Sequence, residues 1–144
     1  MYANKTIVYA GGCFDLFHVG HLNLFQRART FGDILIAGVS TDELVQSYKA
    51  TRPVISLIDR LRIIESLKCV DIVVVQDKLA DVELLKKLAV DVFITGSDWK
   101  DMDPKDEPEG YAWIRENIEM AFVPRTEGVS STSIKQKLNL RELL

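Results

Sequence analysis

Short runs of branched aliphatic residues alternate with segments of helical periodicity along the whole chain, and this alternation limits the possible folds more than any other feature. It predicts strands at 5–10, 34–39, 71–75, 91–95 and 120–123. Helices are predicted at about 20–31, 41–47, 57–67, 81–89, about 110–117 and 131–138. Helices placed between successive strands give a parallel sheet, so the expectation is an α/β fold: a doubly wound, five-stranded parallel sheet with helices on both faces. With 144 residues, 47% of them hydrophobic, the chain is long enough for one core and short for two, so residues 1–144 read as one domain. Capping-box spacings at Ser40-Thr41-Asp42-Glu43 and Ser56-Leu57-Ile58-Asp59 mark helix starts. Two stretches lack periodicity, Tyr48 to Pro53 and Ser97 to Glu109. Each follows the carboxyl end of a strand or a short helix beyond it, which is the ligand side of such a sheet.

A formal charge of −3 gives no global attraction to polynucleotide or anionic membrane, so neither is expected as a partner. Cys13 and Cys69 have no metal-binding or redox spacing. The segment Met1-Tyr2-Ala3-Asn4-Lys5 leads into a strand without the apolar core of a signal peptide, and no apolar run is long enough to span a bilayer. The expectation is a cytoplasmic protein with reduced thiols.

The chain's 2 histidines, His18 and His21, both fall in the window His18-Val19-Gly20-His21, preceded by Gly11-Gly12-Cys13-Phe14-Asp15. The window lies where the first strand hands over to a helix, and a helix start offers free N–H groups and a positive dipole end to a phosphate. Glycines let backbone approach such a ligand, and Gly20 leaves room between the imidazoles. Two imidazoles three residues apart near a helix start can face one side and donate hydrogen bonds to a phosphorus centre gaining negative charge. The alternatives are a metal pair lacking its other ligands, or one turn-capping histidine beside a buried one. A zinc site built from histidines is excluded for want of a third imidazole.

The run Gly12-Cys13-Phe14-Asp15-Leu16-Phe17-His18-Val19-Gly20-His21, taken with Arg125-Thr126-Glu127-Gly128-Val129-Ser130-Ser131-Thr132, resembles the cytidylyltransferase family, whose patterns are GxFDxxHxGH and RTEGIST. The resemblance covers residues 5 to about 138 and is closest to the small bacterial glycerol-3-phosphate cytidylyltransferases. It implies a Rossmann-like nucleotidyltransferase domain, often a homodimer, that joins a nucleoside triphosphate to a phosphate monoester and releases pyrophosphate with Mg²⁺. By position it implies a CTP triphosphate over Gly12, Cys13 and Phe14, with His18 and His21 at the α-phosphate. Lys49 would reach the phosphates of donor and acceptor, although Arg52 lies three residues away. Arg125 and Thr126 would grip the nucleotide, and Ser130, Ser131 and Thr132 would surround the β- and γ-phosphates, where plain N-capping would account for one hydroxyl. Mg²⁺ would be held mainly by the triphosphate, with no protein ligand assigned. Asp15 reads as a tie within the turn, and Arg60 as either a helix ion pair or part of the phosphate pocket. No general base is needed, because a phosphate monoester is largely dianionic near neutral pH.

The departures from the family pattern bear on substrate. Gly96-Ser97-Asp98-Trp99 stands where the family has two acidic residues, so Ser97 would meet the base without a carboxylate, and ATP is the alternative donor to CTP. Lys68 replaces an arginine common in the family. The segment Gln76-Asp77-Lys78-Leu79-Ala80-Asp81 lacks the tryptophan that choline-type members carry, which disfavours phosphocholine, while Lys78 could serve as a phosphate contact. The expected acceptor is a small alcohol or polyol phosphate, glycerol 3-phosphate first, with a transferase of the phosphoethanolamine or sugar-phosphate type as the alternative within the same superfamily. Trp99, Trp113 and Tyr111 border the polar loop 97–110, as acceptor-pocket, core or dimer-contact residues. A nucleotide-binding module without turnover is the competing reading. A dinucleotide-dependent oxidoreductase fails, since Phe14, Asp15 and His18 occupy the place of the G-x-G-x-x-G turn.

Overall fold

The computed structural model describes residues 3–97 and 100–142, so Asp98 and Trp99 lie outside the described residues. In chain order the elements are β1 (Ile7–Gly12), α1 (Val19–Arg29), β2 (Ile34–Ser40), α2 (Asp42–Lys49), α3 (Leu57–Glu65) and β3 (Ile72–Gln76). There follow α4 (Val82–Lys87), β4 (Val92–Gly96), a single 3₁₀ turn at Pro104–Asp106, α5 (Tyr111–Asn117), β5 (Glu119–Val123) and α6 (Ser131–Glu142). The strands form one sheet in the order β3-β2-β1-β4-β5, every pairing parallel. This is the doubly wound α/β arrangement expected from the alternation. The winding reverses between β1 and β4, so the carboxyl ends of these two strands flank the crevice where such sheets bind ligands.

The period of two along each strand sorts the core into two layers. Val8, Ala10, Leu35, Ala37 and Val39 pack with Phe25 and Ala28 of α1 and Ile64 of α3. Ile7, Tyr9, Ile36 and Phe93 pack on the other face with Leu85 of α4 and Tyr111 and Ile114 of α5.

Three aspartates staple the amino edge of the sheet. Asp33, Asp71 and Asp91 each directly precede a strand and accept a hydrogen bond from a residue at the start of the neighbouring one: Thr6 N at 2.9 Å, Leu35 N at 2.8 Å and Ile7 N at 2.8 Å, respectively. Each caps an end-of-ladder N–H that a parallel sheet otherwise leaves open.

β1 begins and ends two residues later than the sequence suggests. Gly11 and Gly12 continue the ladder, opposite Gly38 and Val39, instead of opening the turn. The reason is a buried polar crossing: Tyr9 Oη donates to Gln76 Oε1 at 2.5 Å, and Gln76 Nε2 donates to Ser40 Oγ at 3.0 Å. A Cβ on Gly38 would lie 1.8 Å from Tyr9 Oη, and one on Gly11 would lie 2.4 Å from Gln76 Oε1, so glycine at both positions gives these side chains their path across the sheet. Ser40 is consequently a buried strand residue, and Thr41 caps α2 by accepting from Leu44 N at 3.1 Å. Ser56 caps α3 as its spacing predicts.

Replacing Asp91 by Ala should lower the unfolding free energy by about 1–3 kcal/mol, the cost of orphaning an N–H bonded to a charged acceptor. A urea titration checks this, and an unchanged midpoint would show that the staple contributes nothing.

Candidate functional site

The turn from β1 to α1 is built against backbone preference. Phe14 and Leu16 both take left-handed backbone angles, φ 56° and 49°, which non-glycine residues adopt only when their surroundings hold them there. Asp15 supplies the hold. Its buried carboxylate accepts from Leu16 N at 3.1 Å, Val54 N at 2.8 Å and Ile55 N at 2.9 Å, and its carbonyl accepts from Ser131 Oγ at 2.7 Å. One residue thereby joins the turn to the segment after α2 and to the start of α6.

Arg60 is the second tie, and the structure decides its role. The side chain is 0% exposed. Nε donates to Ile55 O, Nη1 to Cys13 O and Ser40 O, and Nη2 to Asp42 Oδ1 at 2.6 Å. With these bonds made inside the protein, Arg60 is not a phosphate or acceptor contact; it fastens the turn, β2 and the 50s segment together from beneath.

Helix α1 starts with a capping box made of imidazoles. His18 is the N-cap, and its Nδ1 accepts from Gly20 N at 3.0 Å. His21 Nδ1 accepts from His18 N at 3.2 Å. A ring nitrogen that accepts from an N–H carries no proton, so each neutral ring holds its proton on Nε2. The rings stack with centroids 3.8 Å apart, and Phe14 and Phe17 pack on His21 at 5.5 Å and 5.3 Å. A Cβ on Gly20 would sit 2.8 Å from His18 Cε1, so glycine is what lets the cap ring lie there. Burial, then the nearby charges of His18 and Lys49, push the His21 pKa down to about 4 against the opposing pull of Asp15, and burial lowers that of His18. Both rings are therefore neutral Nε2–H donors at neutral pH.

His21 lines a cleft of about 580 Å³ at the carboxyl edge of the sheet, with Gly12, Cys13 and Phe14 in its floor. Lys49, at the end of α2, and Arg52 supply cations on one wall. Arg52 lies 3.7 Å from Asp42 and 3.6 Å from Glu43, which leaves Lys49 as the lysine of that wall whose charge reaches both Cys13 and His21. On the opposite wall Ser131, Thr132 and Lys135 enter from α6. Burial pushes the Cys13 thiol up despite Arg60 and Lys49, so it stands as a neutral thiol.

The remaining sequence candidates separate into three places. Ser130 does not line the cleft: its Oγ accepts from Ser133 N and its own N–H donates to Ser133 Oγ, both at 2.9 Å, so it is the N-cap, while Ser131 and Thr132 line the cavity with the Ser131 hydroxyl donating to Asp15 O. Arg125, Thr126 and Ser97 belong to the rim beyond β4 and β5; Thr126 accepts from Asn23 Nδ2 at 3.0 Å, tying this rim to α1. Lys78 borders a separate groove of about 370 Å³ between the ends of β3 and the 108–110 segment. Lys68 lies in the connection leading into β3, at the amino edge of the sheet, and so on the far side from the cleft. That placement excludes a phosphate contact for Lys68 in this chain's own cleft. Lys135 carried no motif in the sequence; the signal available was its position one helical turn after Ser131.

A smaller pocket of about 140 Å³ opens beside the cleft, sharing Gly11, Gly12 and Leu24 with it. Gln76, Thr95 and Tyr111 give it neutral polar groups, and Leu79 and Phe93 give it apolar wall. Trp113 packs instead against the α4–α5 core layer, with Lys86 Nζ 5.1 Å from its ring centroid. No helix among the described residues is long and apolar enough to cross a membrane.

Comparison with known proteins bears on the family and the fold. Residues 9–137 match the family model described as cytidylyltransferase-like. The bifunctional protein HldE of Syntrophotalea carbinolica is 36% identical over 137 residues, 93% of this chain, and that of Streptomyces coelicolor is 40% identical over 130 residues, 90% of this chain. The chain spans about a quarter of the length of these curated relatives, 27% in both cases. A crystal structure of the lipopolysaccharide core biosynthesis protein of Thermoplasma volcanium superposes with a TM-score of 0.72 at 21% identity, covering 85% of this chain and 99% of that one, and so shares the fold. The chain belongs to the cytidylyltransferase-like family.

Proposed function

We propose that this chain transfers a nucleoside monophosphate from a nucleoside triphosphate to a small phosphate monoester, releasing pyrophosphate. The observation that carries the reading is the pair of stacked imidazoles, each locked by backbone as an Nε2–H donor, with His21 lining the cleft and His18 stacked on it. In this reading the acceptor's phosphate oxygen attacks the α-phosphorus in line, and the bond from that phosphorus to the bridging oxygen of the leaving pyrophosphate breaks. Charge grows on the non-bridging oxygens, and fixed neutral donors answer it at no reorganisation cost. The high Cys13 pKa and the His21 Nδ1 bond argue against a covalent nucleotidyl intermediate on either side chain. Lys49 bridges donor and acceptor phosphates, while Thr132 and the open N–H groups at the start of α6 receive the β- and γ-phosphates, Ser131 holding that start to Asp15 O. Mg²⁺ enters as the counter-ion of the triphosphate. The described residues hold no group of three or more histidine, cysteine or carboxylate side chains able to cage it.

The small pocket supports the acceptor class. Its polar groups are uncharged and its volume is below the range of sites for drug-sized ligands, which suits a few carbons bearing hydroxyls. Glycerol 3-phosphate is the simplest acceptor of this kind, and sugar or polyol phosphates are its larger relatives. CTP is the donor favoured by the Arg125–Thr126 element. A second reading, ATP as donor, draws on Ser97, an exposed neutral hydroxyl at the end of β4 where a carboxylate would favour the cytosine amino group.

The test crosses CTP and ATP against glycerol 3-phosphate and sugar phosphates, with Mg²⁺, in a pyrophosphate-release assay. Release from one pair identifies donor and acceptor together, and absence of release from every pair contradicts the reading. His18→Ala and His21→Ala should each lower turnover by roughly 10²–10³-fold with the fold intact. Near-normal turnover in either would remove the imidazoles from the chemistry. The low His21 pKa also predicts a pH effect on stability. Between pH 6.5, where an ordinary histidine titrates, and about 4, the unfolded chain binds a proton at this position that the folded chain refuses. Stability should therefore fall on acidification through that window, and His21→Gln should flatten the fall. Urea midpoints measured from pH 7 to pH 4.5 check it; equal slopes in both proteins would contradict it.

A further inference from the structure

We propose that Gln76 is a specificity-determining residue for the acceptor, its side-chain amide reading hydroxyl groups on the acceptor's carbon chain in the small pocket beside the cleft. The inference rests on the nucleotidyl-transfer reading for its place in turnover, and on the packing of the sheet for its position. Gln76 ends β3, an edge strand two places from β1 in the sheet, so its Cα stands roughly 10 Å from β1. The side chain covers that distance because Gly38 on β2 and Gly11 on β1, paired in register, put no Cβ in its way. A Cβ on Gly11 would meet Nε2 at 3.0 Å as well as Oε1, so both polar atoms of the amide lie against a residue that lines the pocket. The core layer of Ile7, Tyr9, Ile36 and Phe93 stops short of these glycines, and the pocket opens beside Gly11, where a next side chain would have stood.

The amide is held in place with part of its hydrogen-bonding capacity left over. Tyr9 Oη donates to its Oε1, its Nε2 donates to Ser40 Oγ, and both partners are buried. Burial pushes the Tyr9 pKa up, so this donor keeps its proton. An amide has two N–H groups and two acceptor lone pairs, which leaves one of each for a ligand. A hydroxyl both donates and accepts, and so matches that remainder. On the β4 side Thr95 Oγ1 and Tyr111 Oη, 3.4 Å apart, bring two hydroxyls to the same pocket. None of the described residues lining it is charged, so neither a second phosphate nor an ammonium group meets a counter-ion there. An acceptor with the same carbons but no hydroxyls would seal the remaining amide groups from water without partners, and that penalty rejects it.

Calorimetry on the full chain with glycerol 3-phosphate and propyl phosphate tests the proposal without requiring turnover, since the two ligands carry one phosphate on three carbons and differ only in two hydroxyls. The wild type should prefer glycerol 3-phosphate by about tenfold or more, and Gln76→Met, which keeps side-chain length and removes the amide, should cut that preference roughly fivefold or more. The ratio is taken within each protein, so a purely structural role for Gln76 would weaken both ligands alike and leave it unchanged. Should Gln76→Met not fold for want of a partner for Tyr9 Oη, the double variant Tyr9→Phe with Gln76→Met removes that orphan and is held to the same expectation. An unchanged ratio in the folded variant would overturn the proposal, as would equal affinity for the two ligands, or no binding of glycerol 3-phosphate, in the wild type. A preference that collapses with Gln76 in a protein releasing no pyrophosphate from any substrate pair would leave this site standing and defeat the nucleotidyl-transfer reading. Pyrophosphate release with a preference indifferent to Gln76 would do the reverse.

Discussion

Two hydrogen bonds at the start of α1, Gly20 N to His18 Nδ1 and His18 N to His21 Nδ1, are the constraint on which the site depends. Helices more often meet this need with Ser or Thr at the N-cap and Glu at the third position. Imidazoles in those places satisfy the same orphan N–H groups and do something a serine–glutamate box cannot. They turn the two capping side chains into oriented Nε2–H donors, one on the cavity wall and the other stacked on it. The cap fixes the tautomer, the stacking fixes the spacing, and burial keeps His21 neutral. Folding of the helix start and preorganisation of the donors are the same event.

The rest of the cleft is arranged so that this start cannot shift. Asp15 and Arg60, one acidic and one basic, both buried, tie the β1–α1 turn to the 50s segment, to β2 and to α6. Buried charges are costly to desolvate and tolerable only when their hydrogen-bonding capacity is met. Here Asp15 meets it with backbone N–H groups, and Arg60 with backbone carbonyls and Asp42. The cost fixes three loops from three parts of the sequence in one relative position, which a purely apolar junction would specify less sharply. The left-handed Phe14 and Leu16 mark where that fixing opposes local backbone preference.

Much of this was legible in the sequence, because strand and helix periodicities are local signals and the two histidines share one window. What was not legible depended on burial or on direction. Arg60 reads equally as an ion pair or a phosphate ligand until its complete burial is known. Lys68 drops out once it is seen to precede a strand of a sheet whose ligand edge is the carboxyl one. The late end of β1 reflects the path of Tyr9 and Gln76 across Gly11 and Gly38, a contact between three strands that no window of sequence contains. The aspartates at 33, 71 and 91 form a visible pattern, each directly before a strand, yet their hydrogen bonds go to neighbouring strands and need the strand order to interpret. Ser130 and Ser131, adjacent in sequence, divide into a cap and a cavity wall because α6 begins between them.

The most direct test of the account is the protonation state of the two imidazoles, read from long-range nitrogen–proton correlations of the histidine-labelled protein at neutral pH. The account predicts that both rings are neutral, with an unprotonated Nδ1 and a protonated Nε2, and that His21 stays so as the pH is lowered to 5. A proton on Nδ1 of either ring, or an imidazolium at His21 near neutral pH, would contradict it, because the cap would then be broken and the donors would not be the ones described.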